Sequence, residues 1–217
     1  MANKNLTEMV FILDRSGSMG GLESDTIGGY NSLIEKQKNE MGDAVVTTVL
    51  FDDQYDMIHD RVDIMKINHI TSKEYFARGM TGLLDAVGKT INHVGNRHKN
   101  ALDNEVPGKT MVTIITDGHE NASKEFNLPQ IKQMIERQKE KYGWEFVFLG
   151  ANIDAVSTAA DIGITADRAV TYCADSEGTR MNFDAVSDMA GCVRNSAPIM
   201  PSWKDKIENY TKTRKNR

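Results

Sequence analysis

Apolar residues run along this chain in two rhythms. Residues 9–13 (MVFIL) are continuously apolar and stop at Asp14, the pattern of a strand covered on both faces, as in a parallel sheet. Residues 45–51, 110–116 and 144–150 (VVTTVLF, TMVTIIT, WEFVFLG) repeat it with β-branched and aromatic side chains, which favour strands. Residues 168–172 read as a short last strand. Residues 56–65 alternate more, with Met57, Ile58, Val62 and Ile64 apolar, and follow a turn at Asp52 and Asp53. They predict a half-exposed antiparallel edge strand.

The second rhythm is helical. Ile27, Tyr30, Leu33 and Ile34 mark a helix over residues 20–41, and Leu84, Val87, Ile91 and Val94 mark one over 81–94. Another opens near Leu128-Pro129, where proline suits a first turn. A short helix is predicted over 155–162 and a final one over 181–194, with 95–108 as a polar loop. No internal repeat is visible.

Strands alternating with helices imply an α/β fold, Rossmann-like and doubly wound, with a mostly parallel central sheet, one antiparallel edge strand and helices on both faces. Such sheets bind ligands beyond the carboxyl ends of their strands, where strand order reverses. The segments after Leu13 and after Thr116 end in polar loops at that edge, so chemistry is expected there.

Composition narrows the picture modestly. The 217 residues suffice for one domain with its own core, and 26% charged with 40% hydrophobic residues is ordinary for a soluble protein. A net charge of −5 argues against nucleic acid as the main partner, since phosphate binding needs a basic face. No stretch approaches the roughly 20 apolar residues that span a bilayer, and the N-terminus lacks a leader-peptide pattern. The expected location is cytoplasmic, without a membrane partner. Cys173 and Cys192 lie far apart and read as reduced thiols. Residues 204–217 turn basic and read as a solvated, frayed tail after a single domain over 1–203.

The chemistry gathers at Asp14-Arg15-Ser16-Gly17-Ser18, a DxSxS pattern. Mg²⁺ is small and hard and takes six oxygens in near-octahedral geometry. Two hydroxyls two residues apart on a tight loop can face one ion, with Gly17 relieving crowding between them. Asp14 can bind the ion or orient its waters. A site of mostly neutral ligands keeps positive charge at the metal and can accept a carboxylate from outside.

Three segments, in order, resemble the von Willebrand factor A (integrin I-like) family: FILDRSGSM at 11–19, GMTGLLDAV at 79–87 and IITDGHEN at 114–121. The resemblance spans roughly residues 6–172. It implies a metal-ion-dependent adhesion site (MIDAS) with Ser16 and Ser18 as direct hydroxyl ligands and Thr81 as a direct or water-bridged one. Asp14 and Asp117 would act through waters or as alternating ligands. The implied ion is Mg²⁺, with Mn²⁺ or Ca²⁺ as substitutes. The implied function is a binding module, not an enzyme, whose metal shell is completed by an Asp or Glu of a protein partner. In the family, ligand binding can couple to movement of the last helix, here 181–194.

Other chemistries fit less well. Both Gly-Lys-Thr strings fail as phosphate-binding loops: Lys109 precedes a strand, with Asp103 where glycine belongs, and Lys89 lies within a helix, with Leu83 at that position. No GxSxG or HExxH occurs. The enzyme alternative is a Mg²⁺-dependent phosphatase of the haloacid-dehalogenase type, whose DxD would need an acid where Ser16 stands. The histidines (His59, His69, His93, His98, His119) show no ligand spacing, and only His119 falls near the site.

Overall fold

The computed structural model describes residues 2–215, and side chains through 214. Its strands are β1 (Asn3–Asp14), β2 (Asp43–Phe51), β3 (Tyr55–Asp63), β4 (Pro107–Thr116), β5 (Glu145–Ala151) and β6 (Ala169–Tyr172). The helices are α1 (Glu23–Lys38), α2 (Leu83–Asn100), α3 (Leu128–Tyr142), α4 (Ala155–Asp161), α5 (Ser176–Arg194) and α6 (Asp205–Lys215). The sheet order is β3-β2-β1-β4-β5-β6. Every pairing is parallel except β2 with β3.

The continuous apolar runs have the expected cause. Alternate residues of β1 enter two separate cores. Met9, Phe11 and Leu13 pack with Tyr30 and Leu33 of α1 and Phe183 and Val186 of α5. Val10 and Ile12 pack with Val87 and Ile91 of α2, Ile131 of α3 and Ala159 of α4. Strand order reverses at β1, with β2 on one side and β4 on the other. The loops after β1 and β4 therefore open side by side.

Three segments depart from their sequence pattern. Residues 95–100, read as loop, continue α2, because His98 reaches the fully buried Glu8 at 2.7 Å and packs edge-on against Trp144. Thr47 and Arg61 complete that carboxylate's surroundings at 3.0 and 3.1 Å. β1 starts at Asn3 rather than residue 9 because β2 and β4 pair with its polar half through backbone (Leu6↔Asp43, Thr7↔Lys109). The segment 181–194 is not the last helix: the basic stretch beyond it forms α6, with Ile207 and Thr211 buried.

The elements before and within α6 cover the β6 edge. Trp203 donates to the Asp167 carbonyl at 2.8 Å, and Lys204 to the carbonyls of Ala166 and Ala169 at 2.7 and 3.1 Å. The Ala169 carbonyl at the start of β6 is thus satisfied, as are those of Ala166 and Asp167 in the turn before it. No helix among the described residues is long and apolar enough to cross a membrane. Cys173 and Cys192 are free thiols.

At the pole away from the carboxyl ends of the strands, Arg194 ties α5 to α1. Its guanidinium donates to the carbonyls of Gln37 (2.5 Å) and Gly42 (2.8 Å), with Glu40 and Met41 at 3.2 and 3.3 Å. The Gln37 carbonyl belongs to the last turn of α1, and those of Glu40, Met41 and Gly42 to the connection that leads into β2. Arg194→Ala should lower stability by about 1.5–3 kcal/mol, the range for hydrogen bonds to a charged group. Urea unfolding of both proteins measures it; an unchanged midpoint would show that water replaces the guanidinium at no cost.

Candidate metal centre

Asp14 ends β1 between β2 and β4, and is 1% exposed. One carboxylate oxygen accepts the Ser16 amide N–H at 2.7 Å, and the other the Thr116 hydroxyl at 2.5 Å. The first bond folds the chain back over the strand end, and a 3-10 turn over Gly17–Met19 follows. Met19, buried in the core, anchors that turn. Ser16 and Ser18 thereby present their hydroxyls to the same space, 3.0 Å apart.

A second loop, between β3 and α2, brings in Thr81. It is fastened to the first through backbone: the Arg78 N–H donates to the Arg15 carbonyl at 2.8 Å, and the Gly17 N–H to the Gly79 carbonyl at 3.1 Å. Side chains reinforce this. Asp52 accepts Arg15 at 3.0 Å and Arg78 at 2.6 Å, Arg15 also pairs with Asp56, and the Phe76 ring sits 5.6 and 5.3 Å from the two guanidinium carbons. Gly79 has φ of +68°, a left-handed conformation that favours glycine at this position.

Asp117 comes from the loop after β4. The Ser18 hydroxyl donates to its Oδ1 at 2.5 Å, and the Thr81 hydroxyl donates to Ser16 Oγ at 3.1 Å. Asp117, Ser18, Ser16 and Thr81 thus form one hydrogen-bonded chain of oxygens, with Asp14 beneath. All five residues singled out in the sequence meet here. Asp14, Ser16, Thr81 and Asp117 are buried, and Ser18 faces solvent. Gly118 keeps the cradle open, since a Cβ there would lie 3.0 Å from Thr81 Oγ1 and 3.1 Å from Ser18 Oγ.

The electrostatics are unfavourable for two bare carboxylates. Burial pushes Asp14 up to about 6 against the lowering by its hydrogen bonds to Thr116 and Ser16, and the Asp117 charge adds to the rise. Burial raises Asp117 as well. Its Oδ2 is buried without a hydrogen-bond partner among the described residues. A cation would answer that atom and the paired negative charge together. Groups of three or more His, Cys, Asp or Glu suited to a metal do not occur among the described residues, so the oxygen set rests on hydroxyls. The histidines do not converge: His69, His93 and His98 pair with Glu35, Asp60 and Glu8, and His59 lies against Tyr30.

Motif reading missed the residues that shape the site from outside. Thr116 is a strand residue by pattern, yet it holds Asp14. Tyr75 donates to the Asp14 carbonyl at 2.5 Å from a segment with no local signature. Glu120 and Asn121 stood inside the third quoted segment and carried no assigned role. Asn121 accepts the Thr81 N–H at 2.9 Å, and Glu120 accepts the Leu84 N–H at 2.9 Å.

No family model matches the chain, and no curated protein matches it. Solved structures do. Proximal thread matrix protein 1 from the mussel byssus, with a zinc-occupied MIDAS motif, aligns with a TM-score of 0.58 at 15% identity over 88% of this chain and 46% of its own. A von Willebrand factor type A protein from Catenulispora acidiphila gives 0.57 at 13% over 89% and 43%. A point mutant of the PilB minor pilin from Streptococcus sanguinis gives 0.57 at 13% over 91% and 64%. This chain spans less than two thirds of the length of each. At these identities the likeness is one of architecture: the chain folds as a von Willebrand factor A domain.

Proposed function

We propose that this domain is a metal-dependent binding module: Asp14, Ser16, Ser18, Thr81 and Asp117 hold Mg²⁺, and a carboxylate from a protein partner completes the ion's shell. The observation that carries this reading is the chain of three hydroxyls beside a buried carboxylate oxygen with no partner of its own. The hydroxyl separations of 3.0 and 3.1 Å match a hydrogen bond and equally the edge of an octahedron with bonds of about 2.0–2.1 Å, about 3 Å. The chain of hydroxyls can therefore exchange its internal hydrogen bonds for an ion without rebuilding the loops. When bound there, Mg²⁺ supplies an electrophilic position that an external carboxylate can occupy.

The protein's own residues shape that encounter. Gly17, Ser18, Gly79, Met80 and His119 are exposed around the mouth, and glycines at the rim let a partner's backbone approach closely. Hydroxyl ligands leave the ion incompletely neutralised, which draws an acidic residue more than an amide. The zinc-occupied site of the byssus protein supports a divalent metal in this architecture.

The phosphatase alternative is disfavoured by Ser16. It stands where a general acid would be needed, and a serine hydroxyl holds its proton too tightly for that role near neutral pH.

Three measurements follow. Calorimetric titration of Mg²⁺ and of Mn²⁺ into metal-stripped protein should show one saturable site, weakened at least about 10-fold in Asp14→Ala, Ser18→Ala and Asp117→Ala. A wild-type protein that takes up neither ion overturns the metal reading. Among immobilised peptides, those with one central Asp or Glu should be retained with Mg²⁺ and released by chelator, and their Asn or Gln counterparts should not. Equal retention of amide peptides would sink the carboxylate-completed shell. Finally, p-nitrophenyl phosphate should not turn over with Mg²⁺ present; turnover abolished by Asp14→Asn would promote the hydrolase alternative.

A further inference from the structure

We propose that Asp85, which touches none of the five candidate ligands, is the positioning residue that keeps Thr81 and Asp117 in one metal-binding geometry; this rests on the metal reading above. Asp117 and Thr81 come from different loops, and no hydrogen bond joins them directly among the described residues. The loop that starts at Asp117 runs to residue 127 with no helix or strand of its own. Such a loop samples many conformations unless its backbone is tied down, because ordering each residue costs about 1–2 kcal/mol.

Asp85 supplies the tie. It stands in the first turn of α2. One of its carboxylate oxygens accepts the N–H groups of Glu125 and Phe126, and the other that of Lys124, all at 2.9 Å. Three successive amides on one carboxylate form a charge-assisted anchor. Burial works against the charge of Asp85, yet these amides more than offset it and hold the carboxyl below its usual range. The ring of Phe126 then sits where a Cβ on Gly88 would be, 2.6 Å from its Cγ. Position 88 of α2 is thus shaped to receive the anchored segment.

The stitching is reciprocal. A first-turn aspartate commonly serves its own helix terminus, but here the loop caps α2 instead. Glu120 accepts the Leu84 N–H at 2.9 Å, and the Ser123 hydroxyl accepts the Asp85 N–H at 3.0 Å. Glu120 also accepts the amides of Ala122 and Ser123 at 2.9 and 2.7 Å. Between this lattice and the metal centre lies Asn121, whose side chain accepts the Thr81 N–H at 2.9 Å while its own N–H donates to the Thr81 carbonyl at 3.0 Å. Asp85 therefore fixes 124–126, Glu120 and Ser123 fasten the adjoining residues to the same turn of α2, and Asn121 registers the Asp117 loop against Thr81.

The consequence concerns which ion the site prefers. Mg²⁺ demands near-ideal octahedral placement, whereas Ca²⁺ accepts longer and more irregular coordination. A loosened Asp117 loop should penalise Mg²⁺ more than Ca²⁺. A change that merely lowered the folded fraction would weaken both ions equally.

The test is calorimetric titration of Mg²⁺ and Ca²⁺ into full-length wild type, D85N and D85A, with hydrogen exchange of the metal-free proteins. D85A should weaken Mg²⁺ about 10-fold or more, with a smaller loss for Ca²⁺. D85N should fall between, because its amide oxygen still accepts hydrogen bonds. In metal-free D85A the amides of Asn121 and of residues 124–126 should exchange faster, while those of residues 9–13 stay protected. Unchanged Mg²⁺ affinity in D85A, or equal losses for both ions, overturns the assignment. Wild-type protein that binds neither ion overturns the metal reading instead, and the assignment with it. Should D85A not fold, D85N carries the same comparison, and a D85N protein with wild-type affinities and exchange refutes the clamp.

Discussion

A carboxylate buried at the end of a central strand is costly unless its charge is answered, and Asp14 is such a group. Two hydrogen bonds answer part of it, one from the Ser16 amide and one from the Thr116 hydroxyl. The Asp14–Ser16 bond decides the path of the chain after β1, and the Asp14–Thr116 bond joins β1 to β4 at the point where strand order reverses. What is left is electrostatic: Asp117 stands nearby, its own buried oxygen unpartnered among the described residues. Burial of a polar atom without a partner costs on the order of 1–3 kcal/mol in proteins. Under the metal reading proposed above, a cation at that spot would answer the unpartnered oxygen and the paired negative charge together.

Around this centre the three loops are held by chemically opposite devices. On one flank two arginines and an aromatic ring fasten the loop after β1 to the loop before α2, with Asp52 as their shared acceptor. On the other flank two carboxylates, Asp85 and Glu120, gather backbone amides and fasten the loop after β4 to α2. Cationic side chains thus bridge carboxylates and carbonyls, and anionic ones organise free N–H groups, each suited to the backbone left unpaired on its side. The loop carrying Thr81 lies between the two devices and is fixed from both directions.

The far pole is built differently. Arg194 collects carbonyls at the end of α1, and the Lys109 ammonium donates to the Arg194 carbonyl at 2.5 Å. α5 is therefore moored at the pole opposite the candidate metal centre, and α6 follows it over the β6 edge. In the first turns of α5, the Asn182 side chain and the Thr179 hydroxyl are buried without hydrogen-bond partners among the described residues. Sites of this kind are commonly filled by ordered water.

Local pattern was enough for much of this protein. Burial on both faces leaves a continuous apolar signature, so the core runs of β1, β2, β4 and β5 could be read directly, and helical spacing placed α1 and the first part of α2. Asp14, Ser16 and Ser18 were legible because they share one short loop, where side-chain chemistry and backbone geometry are set within five residues. The polar half of β1 and the end of α2 were not legible. Their structure depends on backbone pairing and on the Glu8–His98 contact, which leave no apolar period. Local spacing alone could not join Ser18 to Asp117 across 99 positions, which only the family resemblance put in one site, nor show that Asp85 holds 124–126 rather than capping its own helix. Identity and local spacing determine which groups are available; only the closed fold decides which of them face one another, because a hydrogen bond is made between neighbours in space.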